Sequence, residues 1–163
     1  MAGAVSGWSL LKSPSANDFQ SLQSISEFID LLPENLIIES KGVWTPYQVM
    51  AHIRQSIQFS ISGFPEVKSE LFQNTLGILA FHIFDAKGAS THGLSTPIPG
   101  AQKISPDGDV INEIKLLSKD IKAFLLMNEF KPHFAYGKLN IENYQKAHLF
   151  HINEHFEELD FKT

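Results

Sequence analysis

Three of the seven histidines, His148, His151 and His155, lie within one short stretch of the sequence. At 3.6 residues per turn, their spacings of three and four residues place them on one stripe of a helix. His148 and His155 are about 10 Å apart along the axis, too far for both to bind one ion at metal–nitrogen distances of about 2.1 Å. The pairs His148 with His151 and His151 with His155 remain. We favour the second, because an i, i+4 pair is a well-used zinc ligand pair.

A third ligand must come from another helix, and His52 is the candidate. It lies near the start of a predicted helix, at the edge of an apolar face that contains Val49, Ile53 and Ile57. A buried imidazole without a hydrogen-bond partner costs about 1–3 kcal/mol, and a shared metal ion would satisfy three such rings at once. The pattern predicts a divalent-metal site of His52 with the pair on the last helix. Hydrogen-bonded core histidines are the alternative.

The other histidines have simpler interpretations. We expect His82 to be structural or exposed, and His92 and His133 to be solvated loop residues. His148 is interpreted as a core or rim residue one turn from the site, with a ligand role as the alternative.

The segment His151-Ile152-Asn153-Glu154-His155 also fits the H-x-x-E-H pattern of inverted zinc peptidases, in which the Glu is a general base. We give this pattern little weight, because those enzymes are large and take a further acidic ligand from well downstream. Glu154 is therefore expected to be a solvated surface residue, with a position near a bound water as the alternative.

The elements that position these residues are predicted to be helices. Hydrophobic periodicity predicts five helical segments: Asn17 to Leu32, Pro46 up to Gly63, Lys68 to Ala86, Asp109 to Asn128, and Ile141 to about Leu159. Asn17 or Asp18, Thr45 and Asn140 are the expected caps. The third segment is apolar on several sides, so we expect it to be well buried. Leu36 to Gly42 is extended or a turn, and no sheet is predicted.

The region from Gly88 to Gly108 is rich in glycine and proline and is predicted to be a long loop, which is expected to cover the site or to be a solvated connector. The whole chain, 1–163, is predicted to be one all-α domain, because long amphipathic helices with short connections favour a bundle.

Composition excludes several classes of function. The net charge is −5 and there is no Lys/Arg run, so nucleic acid is not an expected partner. The absence of cysteine excludes disulfides, thiolate metal sites and a Cys nucleophile. The stretch from Met1 to Lys12 does not read as a signal peptide, and Leu76 to Phe84 is too short to span a membrane. We expect a soluble, cytoplasmic protein without a membrane partner.

Two segments resemble the DinB-like superfamily. The run from Trp44-Thr45-Pro46 to His52-Ile53 resembles its second-helix His motif, and the run from Ala147 to Phe156 is similar to its closing H-x-x-x-H helix. One branch of single-domain proteins in this superfamily has a Pro-x-Phe-Gly-like turn before that helix. Pro132, Phe134 and Gly137 resemble this turn, with altered spacing.

The resemblance implies an up-and-down four-helix bundle, here with an additional helix, and a three-histidine site for zinc or nickel, often in a homodimer. Carried over by position, the ligands are His52, His151 and His155. Relatives include transferases that use low-molecular-weight thiols. This sequence departs from the pattern at Phe156-Glu157-Glu158, where a carboxylate beside the metal would disfavour a thiolate.

The leading functional prediction is a metal-dependent enzyme that acts on a small molecule, as a thiol-dependent transferase or a related hydrolase or isomerase. The alternative is a non-catalytic helical bundle whose histidines bind metal adventitiously or only stabilise the core.

Overall fold

A computed structural model describes residues 19–91 and 93–162, and these residues are mostly helical with a small two-stranded sheet. The helices are α1 (Leu22–Asp30), α2 (Pro46–Ser62), α3 (Glu70–Phe72), α4 (Ile78–Lys87), α5 (Val110–Leu125) and α6 (Ile141–Phe156). A π-helical turn (Gln73–Gly77) joins α3 to α4, and the strands are β1 (Ile37–Ser40) and β2 (Leu159–Lys162).

Side-chain caps set where the main helices begin. The Thr45 hydroxyl accepts a hydrogen bond from the Gln48 backbone N–H, and Pro46 follows at the first helical position. Asn140 caps α6 in the same way, so both predicted caps are confirmed. The predicted start of the first helix is wrong: α1 is capped by Ser21, and Asn17 and Asp18 lie outside the described residues.

The core lies between four of the helices. α5 packs against α1 and α2, and α6 contacts the same two helices, so that α2 and α6 lie side by side. Fully buried side chains fill the space between them, among them Ile25, Ile53, Leu117, Ile121 and Phe156. The pairing of α2 with α6 is what brings His52 to the last helix.

The sheet corrects the expectation of a purely helical chain. β1 pairs antiparallel with β2, in a register that joins Ile38 to Phe161 and Ser40 to Leu159. The last helix therefore ends at Phe156, three residues short of the predicted Leu159. Ile38, Leu159 and Phe161 are buried, so this short sheet closes one side of the core.

The segment from α3 to α4 is the main error in the predicted burial. On α4 only Phe81 is buried. Apolar side chains along the segment are instead well exposed: Leu71, Leu76, Leu79 and Ile83 at 76%, 61%, 55% and 45%. In the part of the chain that the structure describes, no helix is both long and apolar enough to cross a bilayer.

The long loop that follows α4 contains neither helix nor strand among its described residues, as its glycine and proline content predicts. It begins at Gly88, which adopts a left-handed conformation (φ 68°) that ends α4. Ile98 in this loop is buried, so the loop packs onto the helices and is more than a solvated connector.

Candidate metal centre

Three imidazoles from two helices meet at one point. His52 lies in the second turn of α2, and His151 and His155 lie one turn apart on α6. One ring nitrogen of each lies within 4.8 Å of the others. His52 and His155 are buried and His151 is half-buried. The structure thus brings together the three histidines that the sequence singled out.

The spacing of these nitrogens suits a small divalent cation. The Nε2 atoms of His52 and His151 are 3.1 Å apart. Two nitrogens bound at about 2.0–2.1 Å in a tetrahedral zinc site lie about 3.3 Å from each other. His52 and His151 are therefore already near ligand separation, and a ring nitrogen of His155 lies within 4.8 Å of both. A neutral three-imidazole set suits zinc or nickel and leaves a coordination position open.

Glu158 orients the most buried of the three rings. Its Oε1 lies 3.0 Å from Nδ1 of His155, a ring with no exposed surface. A carboxylate at one ring nitrogen fixes the tautomer and turns the other nitrogen toward a metal. Glu158 is thus placed to support a ligand, behind the ring rather than in front of it. The sequence suggested that the Glu158 charge would lie directly beside the ion, whereas in the structure the His155 ring lies between them.

Trp44, just before α2, covers the cluster on one side. Its ring lies parallel to that of His155, with centroids 6.4 Å apart, and meets the His52 ring edge-on at 4.9 Å. Aromatic packing of this kind holds the rings in place.

A cavity of about 330 Å³ opens on the other side of the cluster. His52 and His151 are in its wall, as are Pro97 and Ile98 of the long loop. This volume is enough for a small organic molecule. The loop expected to cover the site therefore does form part of its enclosure.

Glu154 connects the loop to α6. Its Oε2 accepts a hydrogen bond from the Ser90 hydroxyl, 2.6 Å away, and Ser90 lines the cavity. Glu154 is half-buried and not simply solvated. Burial, with a smaller effect from Glu154, raises the pKa of Tyr136 to about 12, so this cavity-lining phenol remains protonated at neutral pH.

His133 is a residue that sequence reasoning misjudged. It was expected to be solvated, yet it is only 8% exposed and lines the cavity. Its Nδ1 accepts backbone N–H groups of Ala135 and Tyr136, both at 3.2 Å. Burial, with a smaller effect from nearby His148, lowers the pKa of His133 to about 3. The sequence feature that could have indicated the burial of His133 is the turn from Pro132 to Gly137. Backbone hydrogen bonds between His133 and Gly137 close this turn.

Gly77 allows this turn to lie against the π-helical segment. A Cβ atom at Gly77 would lie 2.0 Å from the Ala135 carbonyl oxygen, so the close approach requires glycine. The Gln73 amide reinforces the contact by donating to the carbonyl oxygens of His133 and Phe134. The π turn thus positions a wall of the cavity, a frequent role for such insertions.

His148 is not part of the three-histidine group. It is buried in the core and lines the cavity, with its ring packed edge-on against Phe124 and parallel to Tyr144. Burial lowers its pKa to about 3. Of the two ligand pairs that spacing allowed, only His151 with His155 converges with His52. His82 is exposed, and His92 lies outside the described residues.

Comparison with known proteins yields one family. A family model described as "Protein of unknown function (DUF1569)" matches residues 12–162, which is nearly the whole chain. No curated protein matches the chain, and no solved structure does.

Proposed function

We propose that this chain, which belongs to the DUF1569 family, is a metal-dependent enzyme with a divalent ion held by His52, His151 and His155. The observation that carries the proposal is that two of these imidazoles also line a cavity of about 330 Å³. A purely structural metal site is closed by protein ligands, whereas a catalytic site keeps a position open to a substrate. The open side of this cluster favours catalysis over the non-catalytic bundle.

The chemistry follows from the donor set. When bound, a divalent ion supplies Lewis-acid chemistry and makes a coordinated water or thiol easier to deprotonate. The protein's part is to orient the ligands through Glu158 and Trp44, and to exclude water through the loop that contains Ile98. Zinc and nickel both suit three neutral imidazoles, and either is consistent with the proposal.

A low-molecular-weight thiol is our proposed co-substrate, and transfer of that thiol the proposed reaction. The proposal rests on the resemblance of the Trp44 to Ile53 and Ala147 to Phe156 segments to the DinB-like superfamily, whose four-helix bundle we also propose here. The packing of α1, α2, α5 and α6 around one core supports that arrangement. Glu158 contacts Nδ1 of His155, the ring nitrogen that faces away from the cluster. The imidazole ring therefore separates the carboxylate charge from the open coordination position.

A homodimer is the proposed assembly. The α3–α4 segment exposes Leu71, Leu76, Leu79 and Ile83 within thirteen residues. Clusters of exposed apolar side chains mark interaction surfaces in soluble proteins. A second copy of the chain would cover these exposed side chains.

Metal analysis tests the proposed site directly. Untagged protein should contain close to one zinc or nickel ion per chain, measured by mass spectrometry, and His151→Ala should lose it. His82→Ala is the matched control, because His82 is exposed and lies outside the cluster. Metal-free wild type that gains no thermal stability from added zinc or nickel would refute the proposal, since an ion that binds only the folded state must stabilise it.

A further inference from the structure

Two buried imidazoles that take no part in the metal cluster share the wall of the cavity. His133 is 8% exposed and His148 is 2% exposed, and both line the cavity that His52 and His151 also line. A polar ring buried to this extent normally has its nitrogens paired, because a missing hydrogen bond destabilises the fold. Within residues 19–91 and 93–162, Nε2 of His148 has no hydrogen-bond partner.

The tautomer of His133 is set by the backbone. Since Nδ1 accepts two backbone N–H groups, the ring proton must be on Nε2 in the neutral form. Nε2 of His133 is therefore a fixed hydrogen-bond donor. The ring is held by stacking on Tyr136, with centroids 4.3 Å apart and planes 9° from parallel.

Apart from the proposed metal centre itself, the cavity has little to offer an ionic ligand. Ile98, Pro97, Pro99 and Phe134 supply apolar surface around the two imidazoles. Among the lining residues that the structure describes, Lys68 is the only Lys or Arg, and it is exposed. Burying an anion beside neutral rings would cost far more than burying a neutral acceptor, because a desolvated charge needs a charged partner.

We propose that His133 and His148 form a polar subsite that binds the acceptor oxygen of an uncharged, largely apolar small molecule, such as an amide, ester or ketone. The inference rests on the proposed function, because it takes this molecule to be the substrate of the enzyme with the proposed metal centre. It explains why two buried imidazoles are kept in a mainly apolar wall next to the cluster.

Probe binding tests the subsite independently of the metal. We would titrate benzamide, benzoate and toluene into the protein and follow dissociation constants by NMR, once with the protein as purified and once after chelator treatment. The three probes share one ring and differ in the acceptor group. After chelator treatment, when no cation is present to attract the carboxylate, wild type should bind benzamide more tightly than benzoate.

Two variants remove the imidazole contacts without removing the fold. His148→Phe keeps the packing on Phe124 and Tyr144, and His133→Asn keeps an acceptor for the turn backbone through an Asx turn. Each variant should weaken benzamide binding about three- to tenfold, the range for one neutral hydrogen bond, and leave toluene binding unchanged. His82→Phe, the matched control at an exposed position outside the cavity, should leave benzamide binding unchanged.

Several outcomes would overturn the inference. Equal losses for benzamide and toluene would mean that the variants only reshape the cavity. Tighter binding of benzoate than of benzamide by the chelator-treated protein would mean that the ligand is an anion. Absence of saturable benzamide binding in wild type would also contradict it. Metal content of each variant separates this test from that of the metal site: benzamide binding that depends on His133 and His148 in metal-free protein would uphold the subsite even if no metal is bound.

Discussion

Removal of the Glu158 charge is the sharpest test of how the metal centre is built. Glu158 is 8% exposed and its Oε1 lies 3.0 Å from Nδ1 of the fully buried His155. Loss of an outer-shell partner typically weakens metal binding about 10- to 100-fold, or about 1.4–2.7 kcal/mol. In Glu158→Gln the amide oxygen can still accept from His155, so only the charge is lost. We expect about tenfold weaker zinc binding.

A second substitution moves the same carboxylate without changing it. A Cβ atom at Gly42 would lie 1.9 Å from Oε2 of Glu158, so Gly42→Ala must displace the end of that side chain. The displaced group is the flexible end of a glutamate, so the folding cost should be small. Because the whole contact to His155 is lost, zinc binding should weaken at least as much as in Glu158→Gln.

The assay is competition for zinc against a chromogenic chelator at neutral pH. Glu157→Gln is the matched control, since it removes the same charge from the adjacent, exposed position. Circular dichroism melting of the metal-free variants checks that the fold is intact. If Glu158→Gln and Gly42→Ala bind zinc as tightly as Glu157→Gln, the carboxylate does not orient His155 and our description of the site is wrong.

Three further predictions follow from the same structure. Burial lowers the pKa values of His133 and His148 to about 3, below the usual value of about 6.5. Below pH 6.5 the unfolded chain therefore binds more protons than the folded chain does. The free energy of unfolding should fall by up to about 1.4 kcal/mol per pH unit for each histidine, down to about pH 3. Urea unfolding at several pH values should show this slope, and His148→Phe should reduce it. Arg54→Gln, which breaks two partly buried ion pairs between α2 and α5, should lower the free energy of unfolding in urea by about 2 kcal/mol. Lys122→Gln, at an exposed ion pair, should lower it by under about 1 kcal/mol, and equal effects would contradict this prediction. Leu79→Glu should convert the proposed dimer to a monomer in sedimentation velocity, and a monomeric wild type would refute the dimer.

The long apolar segment shows where sequence periodicity misled. Apolar residues on several sides of a helix favour burial, yet Leu76 and Leu79 are exposed, because the helices that surround the core leave this segment at the surface. The same segment contains a π turn whose position depends on the Gly77 contact with Ala135. Periodicity reports which side chains are apolar, and only packing decides what covers them.

The sequence by itself determined where α2 and α6 begin, and which two of the three cluster histidines are neighbours on one helix. Thr45 with Pro46 and Asn140 were readable because capping uses groups within one turn, and His151 with His155 because helical spacing fixes which residues are neighbours. These constraints are local, because they involve residues within about one helical turn of each other, so they can be recognised from the sequence alone.

Tertiary structure decided the rest. Strand β1 pairs with β2 more than 115 residues away, a contact that leaves no local signal in the sequence. His52 was predicted as a ligand from its place on a helix face, but its contact with His151, 99 positions away, depends on the packing of α2 against α6. The burial of His133 depends on how its turn packs against the π segment, and the role of Glu158 depends on the end of α6 turning toward β1. Such contacts follow from the global packing of the chain, where each partner is selected by the shape of the whole core.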